Sequence, residues 1–218
     1  MQKPDTVFFD LDGTLADSLD ALRQVYFDFL TTHHRTGSTE EFAELNGPSL
    51  REIVRTIKLR YELTPSESEL FQQYQQLLAV AYERAVRPFG DASELLVQLK
   101  DCDITLGLVT SSPATLVEPF LRANSWQEIF AIVVTGDTVV SAKPSPEIYL
   151  KALSVARVPA KDSIAIEDSL NGVRAAHSAG LTVIGICPAD DGVLRAAGAL
   201  STVRCLHEIP RLILANST

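Results

Sequence analysis

From Pro88 onward the chain alternates short apolar runs with amphipathic ones, and this alternation limits the fold more than any other feature. Residues 104–109, 132–134, 163–166 and 182–186 are brief and rich in β-branched side chains, so each reads as a buried strand. Helical spacing fills the gaps, at 92–99, after Ser112-Pro113 (expected cap and first turn), at 147–155, and at 172–179 with Gly180 as the closing glycine. A last short strand is expected around Val203. Strands separated by helices imply a parallel sheet covered on both faces, hence an α/β fold.

One further strand stands apart, near the N-terminus. Val7-Phe8-Phe9 is a β-forming run that stops in Asp10-Leu11-Asp12-Gly13-Thr14-Leu15. Alternate side chains of an extended chain share a face, so Asp10 and Asp12 start on the same side, and Gly13 permits a tight turn. Two carboxylates this close are costly unless a cation lies between them or they do different jobs. A carboxylate can also act as a nucleophile toward phosphorus.

Between that strand and Pro88 the period changes to helical. Leu19, Leu22, Tyr26, Phe29 and Leu30 share one face, Leu50, Ile53, Val54, Ile57 and Tyr61 a second, and Leu70, Phe71, Tyr74, Leu77, Leu78, Ala81 and Tyr82 a third. The third helix is expected to start at Thr64, with Pro65 in its first turn and Glu67 completing a capping box. Residues 17–87 thus read as a small helical domain inserted into a core formed by 1–16 and 88–218.

The net charge of −9 and the lack of a basic block argue against a nucleic-acid partner that binds through phosphate neutralisation. No run approaches membrane-spanning length and no charged-then-apolar leader precedes the first strand. Cys102, Cys187 and Cys205 lie far apart with no Cys-x-x-Cys spacing, so reduced thiols and a cytoplasmic location are expected. Nothing in the sequence chooses between monomer and homodimer.

In sheets of this kind ligands gather beyond the carboxyl ends of the strands. Three expected strand ends carry polar groups, namely Asp10/Asp12, Thr110/Ser111 and Glu167/Asp168, and Lys143 lies in a loop after a fourth strand. Separately these read as helix caps, a solvated lysine and a favourable charge at a helix start. Together they offer a nucleophile, hydroxyl and N–H donors, an ammonium and metal ligands, which suits phosphoryl transfer.

Asp10-Leu11-Asp12-Gly13-Thr14-Leu15, Thr110, Lys143-Pro144 and Glu167-Asp168 resemble, in order, the four motifs of the haloacid dehalogenase-like hydrolase superfamily. The run Glu167-Asp168-Ser169-Leu170-Asn171-Gly172-Val173 adds to the likeness, which covers nearly the whole chain. The resemblance implies a Rossmann-like core with an all-helical cap. It implies that Asp10 is the nucleophile that becomes phosphorylated and that Asp12 is the general acid/base. It further implies Mg²⁺ held by Asp10, the backbone carbonyl of Asp12, and Asp168, with Glu167 close by, and phosphoryl oxygens held by Thr110, Lys143 and Ser111. Lys143 precedes a proline, which biases its backbone toward extended geometry.

An aspartate at position 12 points away from the dehalogenase and phosphonatase branches, which lack it, toward a phosphatase acting on a small phosphorylated metabolite such as a sugar phosphate or phosphoglycolate. The alternative is a sugar-phosphate mutase of the β-phosphoglucomutase type. Those enzymes carry a cap histidine where this chain aligns Leu22, and a Gly-Val-Ser-Arg loop where it reads Gly47-Pro48-Ser49-Leu50-Arg51. Gly47 and Arg51 are expected to face the substrate, Arg51 against a second anionic group, with a solvated helix arginine as the plainer reading. His33-His34, in a polar stretch, reads as exposed. Two other classes fit less well. A phospho-receiver carries its acid pair and phosphoacceptor on different strands and has no helical insert, and a non-catalytic binding protein would not need every one of these positions.

Overall fold

A buried strand needs neighbours on both edges, and the first strand here sits at the centre of a six-stranded sheet. The computed structural model describes residues 3–45, 47–187 and 192–214. β1 (Thr6–Phe9) leads into a two-residue strand β2 (Ala16–Asp17). Four helices follow: α1 (Leu19–Thr32), α2 (Thr39–Glu44), α3 (Leu50–Tyr61) and α4 (Glu67–Arg84). β3 (Arg87–Pro88) then pairs antiparallel with β2, Ala16 opposite Pro88 and Asp17 opposite Arg87. The chain continues as α5 (Ala92–Asp101), β4 (Thr105–Val109), α6 (Ala114–Ala123), β5 (Ile132–Val134), α7 (Glu147–Ala156) and β6 (Ser163–Glu167). It closes with α8 (Leu170–Ser178), β7 (Thr182–Ile186), α9 (Val193–Ala196), β8 (Ser201–Val203) and α10 (Ile209–Ile213).

The sheet order is β5-β4-β1-β6-β7-β8, all pairs parallel. Strands are added outward from β1 on one side, then the chain returns and adds outward on the other. The switch falls between β1 and β6, and in open α/β sheets the ligand crevice opens there, beyond the strands' carboxyl ends. Register aligns Phe9 with Leu108 and with Ile166, so Asp10 emerges between Val109-Thr110 and Glu167.

Alternation along β1 loads both faces of the sheet. Val7 and Phe9 join the larger apolar core with Leu106, Leu108, Ile164 and Ile166, while Phe8 packs with Ala165, Ile148 and Val173 under α7 and α8. All four residues of β1 are buried, which explains the absence of a polar alternation in its sequence. Helices α1 and α4 pack together and α3 against α4, and the described residues among 18–86 hold no strand. Its apolar faces meet at Phe29, Tyr74, Val54, Ile57 and Leu70, all at most 4% exposed.

The expected helix starts need correction. The Ser66 hydroxyl accepts the Glu69 N–H while the Glu69 carboxylate accepts the Ser66 N–H, so the capping box at α4 is Ser66/Glu69 and not Thr64/Glu67. Thr64 and Pro65 lie before the cap, where the Pro65 carbonyl accepts from Lys58 Nζ at 2.6 Å. Beyond the polar stretch at His33-His34 lies an unforeseen box, Ser38/Glu41, that starts α2. At α6 the residue before the helix is Pro113, and the Ala114 N–H is satisfied at long range by the Asp137 carboxylate at 3.1 Å. Ser112 is therefore not the cap. α8 starts two residues earlier than its periodicity suggested, because the Ser169 hydroxyl accepts the Gly172 N–H. Ser66→Ala is expected to cost about 1 kcal/mol in urea denaturation, the usual value of an N-cap. Exposed Thr64→Ala should change stability by less than about 0.5 kcal/mol.

Candidate active site

Asp10 is the first residue past β1, and its N–H still donates to the Ile166 carbonyl at 3.0 Å. The chain then folds over itself, the Leu11 carbonyl accepting from the N–H groups of Leu15 and Ala16 at 2.9 and 2.8 Å. Gly13 makes that turn with φ +83°, and a Cβ on it would lie 2.2 Å from Asp168 Oδ2. Only glycine meets both demands.

Lys143, 3% exposed, reaches the same point from the loop after β5. Its ammonium donates to Asp10 Oδ1 at 2.7 Å, Glu167 Oε1 at 2.5 Å and the Val109 carbonyl at 3.1 Å, so all three donors are engaged. The loop is pinned by the Glu147 carboxylate, which accepts the N–H groups of Val140 and Ser141, each at 2.8 Å. Glu167 is fully buried and also accepts from the Tyr149 hydroxyl at 2.6 Å. Its carboxylate lies so close to α8 that a Cβ on Gly172 would sit 1.9 Å from Oε2.

Asp12 is treated differently, although it is only two residues from Asp10. The Ser112 hydroxyl donates to its Oδ2 at 2.7 Å, and the buried Tyr82 hydroxyl, from α4, donates to its Oδ1. Buried Thr110 accepts the Ser112 N–H on its hydroxyl at 3.1 Å, which orients the β4 end. The Ser111 hydroxyl donates to the Gly47 carbonyl at 2.6 Å, joining the helical segment to the sheet's edge.

Asp10, Glu167 and Asp168 each bring a carboxylate oxygen within 4.8 Å of the others. One ammonium faces these three acids, leaving an excess of negative charge. Desolvation and the neighbouring Glu167 push the Asp168 carboxyl up to about 7. Asp10 is also raised well above its ordinary value, chiefly by burial, against the pull of Lys143 and with help from Glu167 and Asp168. A divalent cation would relieve this repulsion, and an all-oxygen donor set suits a hard ion such as Mg²⁺. The Asp12 side chain is outside the cluster, turned toward Ser112 and Tyr82, so only its backbone carbonyl is left to serve a metal.

The sequence-derived residues Asp10, Asp12, Thr110, Ser111, Lys143 and Gly47 line one pocket, with Glu167 and Asp168 gathered about Asp10. Arg51 does not join them. It is exposed, its guanidinium carbon 4.9 Å from the centroid of the Phe71 ring, because the pocket-facing side of α3 is taken by Leu50 and Ile53. In this structure Arg51 lies as a solvated helix arginine would. Three contributors escaped the sequence: Tyr82 and Ser112 on Asp12, and Tyr149 on Glu167. Tyr82 repeats at core spacing and Ser112 precedes a proline, so both carried a simpler explanation, and Tyr149 had no local signal.

The chain matches the haloacid dehalogenase-like hydrolase family over residues 7–186 and belongs to it. It is 29% identical over 198 residues to a phosphoglycolate phosphatase of Colwellia psychrerythraea, the match covering 85% of each chain. A bifunctional riboflavin kinase/FMN phosphatase of Arabidopsis thaliana is 28% identical over 181 residues, 83% of this chain but only 48% of that longer protein. The crystal structure of a putative β-phosphoglucomutase from Thermotoga maritima superposes with a TM-score of 0.76 at 26% identity, over 97% of this chain and 99% of that one.

The acid cluster sets a pH signature for the metal-free protein. Asp168 titrates near 7 when folded against 3.8 in its ordinary state, so the native form holds the extra proton between these values. Stability should fall as pH rises from about 4 to about 7, the opposite of a salt-bridged carboxylate. Mg²⁺ should raise the melting temperature more at pH 8 than at pH 5, since binding displaces protons. Thermal denaturation across that range, with and without the ion, checks both signs.

Proposed function

We propose that the protein is a Mg²⁺-dependent phosphatase that hydrolyses a small phosphorylated metabolite through an aspartyl-phosphate on Asp10. The observation that carries this reading is the contrast between two carboxylates of one turn. Asp10 is packed against an ammonium within an acid cluster, whereas Asp12 is held by two hydroxyls outside it. Neighbouring acids in different settings are suited to different tasks.

Asp10 Oδ1 is taken by Lys143, and Oδ2 is left to attack phosphorus. The P–O bond to the leaving group breaks as the Asp10–P bond forms, and Asp12 donates its proton to the departing oxygen. Asp12 then takes a proton from water as the water attacks phosphorus, freeing Asp10 and inorganic phosphate. Lys143, the Thr110 hydroxyl and the Ser111 N–H hold the phosphoryl oxygens. Asp10, Asp168 and the Asp12 carbonyl would hold Mg²⁺, with Glu167 beside them, and the ion would neutralise charge on the transferring group.

Residues 17–87 act in this reading as a cap over a core formed by 1–16 and 88–218, hinged at the β2–β3 pair and excluding water when closed. A cytoplasmic location belongs to the same reading; no disulfide joins the three cysteines, and no described helix is long and apolar enough to cross a membrane. The names of the relatives support both a phosphatase and a mutase. Leu22, which lines the pocket where a mutase would need a basic side chain, favours the phosphatase.

With Mg²⁺ and a panel of phosphorylated metabolites, Asp10→Asn should lower phosphate release at least about a thousandfold while circular dichroism stays unchanged. Unchanged release would remove Asp10 from the chemistry. Isomerisation of β-glucose 1-phosphate with little free phosphate would favour the mutase instead.

A further inference from the structure

The pocket over Asp10 is divided by chemistry. Its polar groups come from the sheet's edge, while the helices supply Leu22, Phe42, Leu45, Leu50, Ile53 and Leu78. Among the described lining residues, the only polar side chain the helices contribute is Tyr74, and they contribute no charged one. Lys143 is the one cation in the described lining, and in the proposed reaction it is taken up by the phosphoryl group itself. Arg51, the cation nearest this wall in sequence, lies over Phe71 on the outside. The cavity volume is about 90 Å³, small beside the pockets that hold large ligands.

From this we infer that the substrate is a phosphate monoester of a short, apolar, uncharged alcohol, selected by the helical wall against esters that carry a second anion or several hydroxyls. The inference rests on the phosphatase reading and narrows it. A second carboxylate or phosphate would be buried beside Asp10 and Asp12 with no second cation among the described lining residues to meet it. Against the helical wall a polyol would bury hydroxyls on leucine and isoleucine, where Tyr74 is the one polar side chain among the described lining residues. An alkyl body gains against the helical wall, since removing its surface from water there is favourable and costs no hydrogen bond.

Three esters with one three-carbon skeleton separate these cases: n-propyl phosphate, glycerol 1-phosphate and 3-(phosphonooxy)propanoate. With the Mg²⁺-loaded protein, kcat/KM should be highest for propyl phosphate, at least about tenfold lower for the glycerol ester and at least about a hundredfold lower for the carboxylate. Glycerol's hydroxyls make it the better leaving group, so this order runs against intrinsic reactivity. Half-buried Ile53→Lys should shift the ratio of the carboxylate ester to propyl phosphate by at least about tenfold toward the carboxylate. Preference of the wild type for the glycerol or carboxylate ester, through release that needs Asp10, would overturn the inference and leave the phosphatase standing. So would turnover of p-nitrophenyl phosphate with none of the three. An unchanged ratio in a folded Ile53→Lys protein would overturn it as well. If p-nitrophenyl phosphate too is untouched, the phosphatase reading itself fails.

Discussion

The buried ammonium of Lys143 is the contact on which the site's geometry turns. Withdrawing it from water is costly, and the cost is met by Asp10 and Glu167 at 2.7 and 2.5 Å and by the Val109 carbonyl. Those partners come from three adjacent strands, so the ammonium ties β1, β4 and β6 together where their carboxyl ends would otherwise repel. In comparable buried pairs, loss of one member costs about 3–5 kcal/mol because the other is left uncompensated. The arrangement is also deliberately short of cations. One lysine cannot neutralise three acids, and the remaining negative charge makes the cluster receptive to a hard divalent ion.

The helical segment is more than a cover. Tyr82 lies near the end of α4, shortly before β3, and its hydroxyl reaches the carboxylate of Asp12. Gly47, before α3, accepts from Ser111 at the end of β4. The setting of the Asp12 carboxylate is thus made jointly by sheet and helices, and a change in their relative position would alter it directly. The same helices line the pocket beside Asp10 and Asp12 with Leu22, Leu50, Ile53 and Leu78.

Sheet class, strand positions and the grouping of Asp10, Thr110, Lys143 and Glu167/Asp168 were legible because each rests on local pattern: buried runs, turn residues and polar groups at strand ends. The helix starts were less so. At α4 and α6 several polar residues compete for one role, and the winner is set by backbone angle or by a distant partner such as Asp137. Arg51 lies outside the described pocket lining for a related reason, since spacing along a helix does not say which side faces the crevice. Tyr82, Ser112 and Tyr149 act over separations of 70, 100 and 18 residues, and nothing in their neighbourhoods announces it.

Gly13 and Gly172 carry no chemistry of their own, yet Asp168 and Glu167 occupy the space where their side chains would begin. The reactive centre is therefore defined partly by vacancy. A search for function that scores only acids, bases and hydroxyls would pass over both positions, although adding one methyl group at either would displace a carboxylate of the acid cluster.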